Sequence, residues 1–98
     1  MVAAGENILR FAKGGKRRFL GDAMVQSAVE RQFEVFGGAA RRLSEEFRQA
    51  HPEVGWRTII AFRDTLVHGY DAIDPEKVWG VIGAALVPTL DSLRPLLK

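Results

Sequence analysis

A chain of 98 residues with 47% hydrophobic content suits one compact domain with a small core, and such cores commonly bury their remaining apolar surface against a partner subunit, so a homo-oligomer is expected. The absence of cysteine excludes a disulfide framework and a thiolate metal site, and it suits a reducing cytoplasm. A net charge of +2, from 14 basic and 12 acidic residues, is too mild to announce nucleic-acid binding by itself.

Met1 to Asn7 lack the basic-then-apolar layout of a signal peptide, and the longest apolar run, Val81 to Val87, is too short to span a bilayer; a soluble cytoplasmic protein is therefore expected. Every extended segment has helical periodicity, with no repeat or linker, which predicts an all-α domain. The first helix is expected over Ala3–Lys13, with Ile8, Leu9, Phe11 and Ala12 as its apolar contacts and Gly14-Gly15 as a C-cap turn. Lys13, Lys16, Arg17 and Arg18 cluster around those glycines, and Arg41-Arg42 form a second basic step; either reads most simply as a solvated helix end or face.

The second helix is expected to start after Asp22 as N-cap and to run to about Ala50, where His51-Pro52 stops it. Val25, Val29, Phe36, Leu43, Phe47 and Ala50, with Ala39 or Ala40 between, recur at bundle spacing. Gly37-Gly38 lies inside this seam, where each glycine costs about 1 kcal/mol relative to alanine, so either a neighbouring helix approaches closely there or the helix bends. The third helix is expected over Trp56–His68, capped by Gly69, with Tyr70 to Ile73 as a connection. Asp74 as N-cap and Pro75 at the first helical position open the fourth, whose inner stripe is Val78, Trp79, Ile82 and Leu86. Pro88 is expected to kink it or to split off a last turn carrying Leu90, Leu93 and Leu97. Four helices with short joints predict an up-and-down antiparallel bundle.

On the third helix Trp56, Ile59, Ile60, Phe62, Leu66 and Val67 form an apolar arc, and Arg63 falls near its middle. A guanidinium keeps its charge at neutral pH, so Arg63 must snorkel, pair with an anion such as Asp64, Asp71 or Glu34, or line a crevice where a phosphate binds. His68 adds a group that exchanges protons near pH 7, and arginine with histidine suffices for cutting RNA without a metal or cofactor. Residues five apart on an unbroken helix point about 140° from each other, so the pair meets only if the helix ends between them or a second subunit completes the site. The alternative is a structural ion pair at Arg63 and a capping role for His68. His51 reads as a helix terminator, and no metal-ligand spacing is present.

The run MVQSAVERQFEVFGGAARRLSEEFRQAHPEVGWRTIIAFRDTLVHGYDAIDPEKVW, Met24 through Trp79, closely resembles the HepT-like proteins of the HEPN superfamily. The resemblance implies that residues 1–98 form one HEPN-like helical domain that dimerises near its motif. It implies a metal-independent RNase toxin of a type VII toxin–antitoxin pair, with an MntA-like minimal nucleotidyltransferase as antitoxin. The family motif, arginine, four residues, histidine, any residue, tyrosine, maps onto Arg63, His68 and Tyr70. The tyrosine is the family's acceptor of AMP, whose bulk and charge beside Arg63 would compete with RNA. Three departures stand out. Asp64 replaces the usual asparagine and is expected to repel a phosphate or occupy Arg63; Gly38 replaces a usual glutamate and is expected to leave a polar contact unmade; and the chain begins late, which is expected to shorten the first helix and expose part of the core. The activity alternative is a noncatalytic helical adaptor that binds a nucleotidyltransferase.

Overall fold

The computed structural model describes residues 1–68 and 73–97, and these are helical almost throughout, with no strand among them. In chain order come α1 (Val2–Phe11), a 3-10 turn (Ala12–Gly14), α2 (Lys16–Gly21), α3 (Ala23–Arg42), α4 (Glu45–Ala50), α5 (Trp56–His68), α6 (Pro75–Val81), a π-helical stretch (Ile82–Leu86), α7 (Val87–Leu93) and a closing 3-10 turn (Arg94–Leu97). The central element is α3, which packs against α1 on one side and α5 on the other. The run from α6 through α7 supplies the fourth rod and closes on α1 and α5. The all-α bundle is what the periodicity predicts, and it agrees with the HEPN-like fold that the resemblance implies.

Helix ends follow local chemistry. The Asp22 carboxylate accepts from the Met24 and Val25 amides at 3.0 and 3.1 Å, and the Asp74 carboxylate accepts from the Glu76 amide at 3.0 Å with Pro75 beside it. Gly15 takes φ +93°, a conformation that strains any residue with a Cβ, and this lets the chain leave the first 3-10 turn and enter α2 at once.

Three expectations need correction. The second helix does not run to Ala50: Leu43 and Ser44 are extended, and the Ser44 hydroxyl accepts from the Phe47 amide at 3.0 Å, so a new N-cap starts α4 and Ala50 is left exposed. The basic cluster is solvated, with Lys13, Lys16, Arg17 and Arg18 exposed, but it carries a helix that was not expected: Lys16–Gly21 buries Phe19, whose ring lies 5.4 Å from that of Trp79, while Lys16 pairs with Glu76 at 3.0 Å. Phe33, absent from the expected seam, is buried and meets Phe62 edge to face at 5.0 Å.

Pro88 does end one helical run and start another. It lacks an amide, and the wider π turn directly before it absorbs the missing bond without breaking the rod. The core joins Ile8, Phe19, Val29, Phe33, Phe36, Ile59, Val78, Leu86, Leu90 and Leu93, all nearly inaccessible. The expected cap at Gly69, the connection through Tyr70 and Asp71, and the side chain of Leu97 lie outside the described residues. No helix of the described residues is long and apolar enough to cross a membrane.

Candidate active site

The site begins with a close approach of two backbones. Gly37 and Gly38 are buried in α3, and a Cβ built on Gly37 would overlap the Cβ of Arg63, stand 2.8 Å from its Cγ and lie 3.2 Å from the carbonyl oxygen of Ile59. Of the two explanations for the glycine pair, a neighbouring helix approaching closely is therefore the one that holds at Gly37. The stem of Arg63 crosses α3 through this gap, which is how a charged residue sits in the middle of an apolar arc.

The guanidinium surfaces at the far side. Arg63 is 26% exposed, and its Nη1 donates to Asp64 Oδ1 at 3.0 Å. Arg41 of α3 reaches the same carboxylate, donating from Nη1 to Oδ1 at 3.0 Å and to Oδ2 at 3.2 Å. The hydrogen bond from Arg63, aided by the positive charges of Arg41 and Arg63, holds the Asp64 carboxyl below the usual aspartate range against a smaller opposing effect of desolvation. Of the anions weighed for Arg63, Asp64 is the partner found; Glu34 pairs instead with Arg31 at 3.3 Å, and Asp71 lies outside the described residues.

The Nε of Arg63 is buried with no hydrogen-bond partner among the described residues, and it lies 3.9 Å from where a Cβ of Gly38 would stand. A carboxylate side chain at position 38 would have an N–H to meet here.

His68 closes α5 and is exposed, and its Nδ1 lies 2.9 Å from the carbonyl oxygen of Asp64, one turn back. A carbonyl oxygen only accepts, so Nδ1 carries the proton and the neutral ring keeps its lone pair on Nε2. No hydrogen bond joins Arg63 to His68 among the described residues; both are tied to Asp64, one through its carboxylate and the other through its backbone. Tyr70 lies outside the described residues. Beside Asp64 a cleft of about 480 Å³ opens between α4 and α5, with Trp56, Ile60, Arg48 and Arg57 on its walls. Among the described residues, no cluster of three or more His, Asp or Glu side chains is placed to hold a metal ion.

Sequence reasoning treated Arg41 as part of a solvated face and so missed its place here. The available signal was its spacing: residue 41 stands four beyond Gly37 and therefore on the same stripe of α3 that meets Arg63.

The chain is 36% identical over 64 residues to a Thermococcus cleftensis protein named "Probable ribonuclease HepT", a match covering 65% of this chain and 58% of that protein. It is 39% identical over 80 residues to "Putative RNase MJ0127" of Methanocaldococcus jannaschii, covering 82% of this chain and 66% of the relative. A second M. jannaschii protein, "Putative RNase MJ1380", is 28% identical over 83 residues, covering 84% and 76%. The chain thus spans a little under two thirds of the length of the first two of these relatives. No solved structure matches it. The sequence model of the family described as ribonuclease HepT-like matches residues 1–96, and the chain belongs to that family.

Proposed function

We propose that this chain is an endoribonuclease, the toxin subunit of a type VII toxin–antitoxin pair, and that it cuts RNA by transesterification without a metal. The observation that carries this reading is a guanidinium and an imidazole both anchored on Asp64, within a chain of the ribonuclease HepT-like family. Arg63 binds the scissile phosphate and offsets the charge that builds on the pentavalent phosphorane. Nε2 of His68 takes the proton of the ribose 2′-hydroxyl. The 2′-oxygen then bonds to phosphorus as the bond to the 5′-oxygen breaks, and the departing oxygen takes a proton from an imidazolium or from water. The products are a 2′,3′-cyclic phosphate and a 5′-hydroxyl. Because the nucleophile belongs to the substrate, no metal is required to generate it.

Two copies of the chain form the working unit, with the motifs near their boundary. Leu66 is only partly covered and Val67 is 44% exposed, so the apolar arc of α5 continues beyond the core of one protomer, as a contact face would. An MntA-like nucleotidyltransferase is the antitoxin, and it places AMP on Tyr70, adding bulk and negative charge that exclude RNA from Arg63. The second reading, a noncatalytic adaptor that binds a nucleotidyltransferase, is favoured by one observation, the Asp64 carboxylate that occupies Arg63.

Purified wild type and His68→Ala incubated with RNA in the presence of a chelator decide between the two. Cleavage by wild type leaving cyclic phosphate ends is expected, with a loss of about 10²-fold or more in the variant. Equal cleavage by both would remove His68 from the chemistry, and cleavage by neither would favour the adaptor.

A further inference from the structure

Arg41, which no family motif brings to the site, stands on α3 and reaches across to α5, where it shares Asp64 Oδ1 with Arg63 and also contacts Oδ2. Arg42 stands close by: its Nη1 is 3.6 Å, and Arg63 Nε 3.9 Å, from the same point, the Cβ position of Gly38. Two guanidiniums from two helices thus share one carboxylate, with Arg42 beside Gly38, and the positive charge of the pair exceeds the negative charge they hold. One of their donors, Arg63 Nε, has no hydrogen-bond partner among the described residues.

We propose that Arg41 is a second RNA-phosphate ligand, that Arg41 and Arg63 together form the seat for one phosphate of the substrate, and that Asp64 occupies this seat as an internal competitor which RNA displaces. The two oxygens of a carboxylate stand where two oxygens of a phosphate would, and paired guanidinium N–H groups hold either one. Arg41 is 58% and Asp64 37% exposed, and ion pairs at such exposure are weak and screened by solvent, so the carboxylate is replaceable. A polyanion also releases counterions as it docks, which a single internal carboxylate cannot do. The cleft beside Asp64 has room for the adjoining nucleotide, with Arg48 and Arg57 matching Glu45 and Asp64 in charge on its walls and Trp56 and Ile60 offering apolar surface. That the polyanion is RNA rests on the nuclease reading above; the seat itself rests on the guanidiniums and the carboxylate.

The test is binding of a fluorescein-labelled oligouridylate, followed by anisotropy across a salt series at neutral pH, with wild type, Arg41→Ala and Asp64→Asn. Asp64→Asn is expected to bind several-fold tighter and with a steeper salt dependence. Arg41→Ala is expected to bind several-fold more weakly, with a salt slope reduced by about 0.7 for the lost phosphate contact. Unchanged or weaker binding by Asp64→Asn would make the carboxylate an organiser of the arginines and overturn the competitor role. Unchanged binding by Arg41→Ala would overturn the second ligand. Circular dichroism melts show whether each variant is folded, and should Asp64→Asn fail to fold, Arg41→Ala decides alone, because its side chain is mostly in solvent. Cleavage measured in parallel separates the two readings. Binding that follows the predicted order without cleavage by any form removes the nuclease and keeps the seat, whereas cleavage with binding blind to Arg41 and Asp64 removes the seat and keeps the nuclease.

Discussion

At the scale of single residues, the neighbouring glycines of α3 do different work. A methyl group on Gly37 would collide with the β and γ carbons of Arg63 and press on the Ile59 carbonyl, none of which can swing aside as a chain tip could. Gly37→Ala is therefore expected to destabilise the fold by about 1–3 kcal/mol through overpacking, and to push Arg63 out of the proposed phosphate seat. At Gly38 the nearest atoms lie 3.6 and 3.9 Å from the new methyl, which is ordinary contact, so Gly38→Ala is expected to gain up to about 1 kcal/mol of helix propensity. Denaturant midpoints of the two variants should move in opposite directions; a shared direction would contradict the close approach at Gly37. Asp64 carries a second residue-scale expectation. Its folded pKa is depressed by the hydrogen bond from Arg63, with Arg41 adding to the effect, so its stabilising contribution is present above the unfolded aspartate value and is lost as pH falls through the lower folded one. The melting temperature of wild type should exceed that of Asp64→Asn at neutral pH, and the difference should close below the ordinary aspartate range. A contact that steadies the fold and yet occupies the proposed phosphate seat is a local trade of binding for stability.

At the scale of elements, the break after α3 shows how a short signal competes with a long one. The apolar recurrence from Val25 to Phe47 runs straight through Leu43 and reads as one helix, but the Ser44 hydroxyl is placed to take the Phe47 amide and Glu45-Glu46 favour the positive end of a new helix. Ser44→Ala is expected to cost about 1 kcal/mol, or roughly 4–8 °C in melting temperature for a chain of this size. An unchanged melt would mean that α4 is held by its packing alone, through Phe47 against His51 and Trp56. The start of α6, marked by the Asp74 cap and Pro75, and the apolar arc of α5 from Trp56 onward were legible from the chain. What escaped was decided by tertiary contact: α2 is a short helix of basic residues that exists because Phe19 finds Trp79 and Lys16 finds Glu76. Arg41 likewise looks like any solvated arginine until α5 is laid beside it. Arg63 stood out because a guanidinium interrupts an apolar arc, and His68 joined it as a candidate through the family motif, whereas their common anchor, Asp64, shows only in three dimensions.

At the scale of the whole molecule, 6086 Å² of accessible surface is about a tenth more than the roughly 5,600 Å² typical of a monomer of this mass, in keeping with an elongated body of 40 × 28 × 18 Å. An excess of surface with an apolar arc running out at Leu66 and Val67 fits the proposed homodimer. The chemistry asks for it as well. Arg63 and His68 leave one unbroken helix in directions about 140° apart, so in the proposed mechanism a single protomer offers a phosphate no simultaneous grip from both side chains, and the proposed second copy across the α5 ends would supply the missing half. Val67→Lys is the sharpest probe of this arrangement, because Val67 is 44% exposed and outside the core of its own protomer, so its replacement is expected to leave the melt of an isolated chain nearly unchanged. Sedimentation velocity should show wild type as a dimer and Val67→Lys shifted toward monomer, with RNA cleavage falling in proportion to the dimer lost. A dimer undisturbed by the lysine would move the interface to another face of the bundle. Wild type that sediments as a monomer and still cleaves would mean that His68 and Arg63 act from one chain, with the end of α5 bending to bring them together.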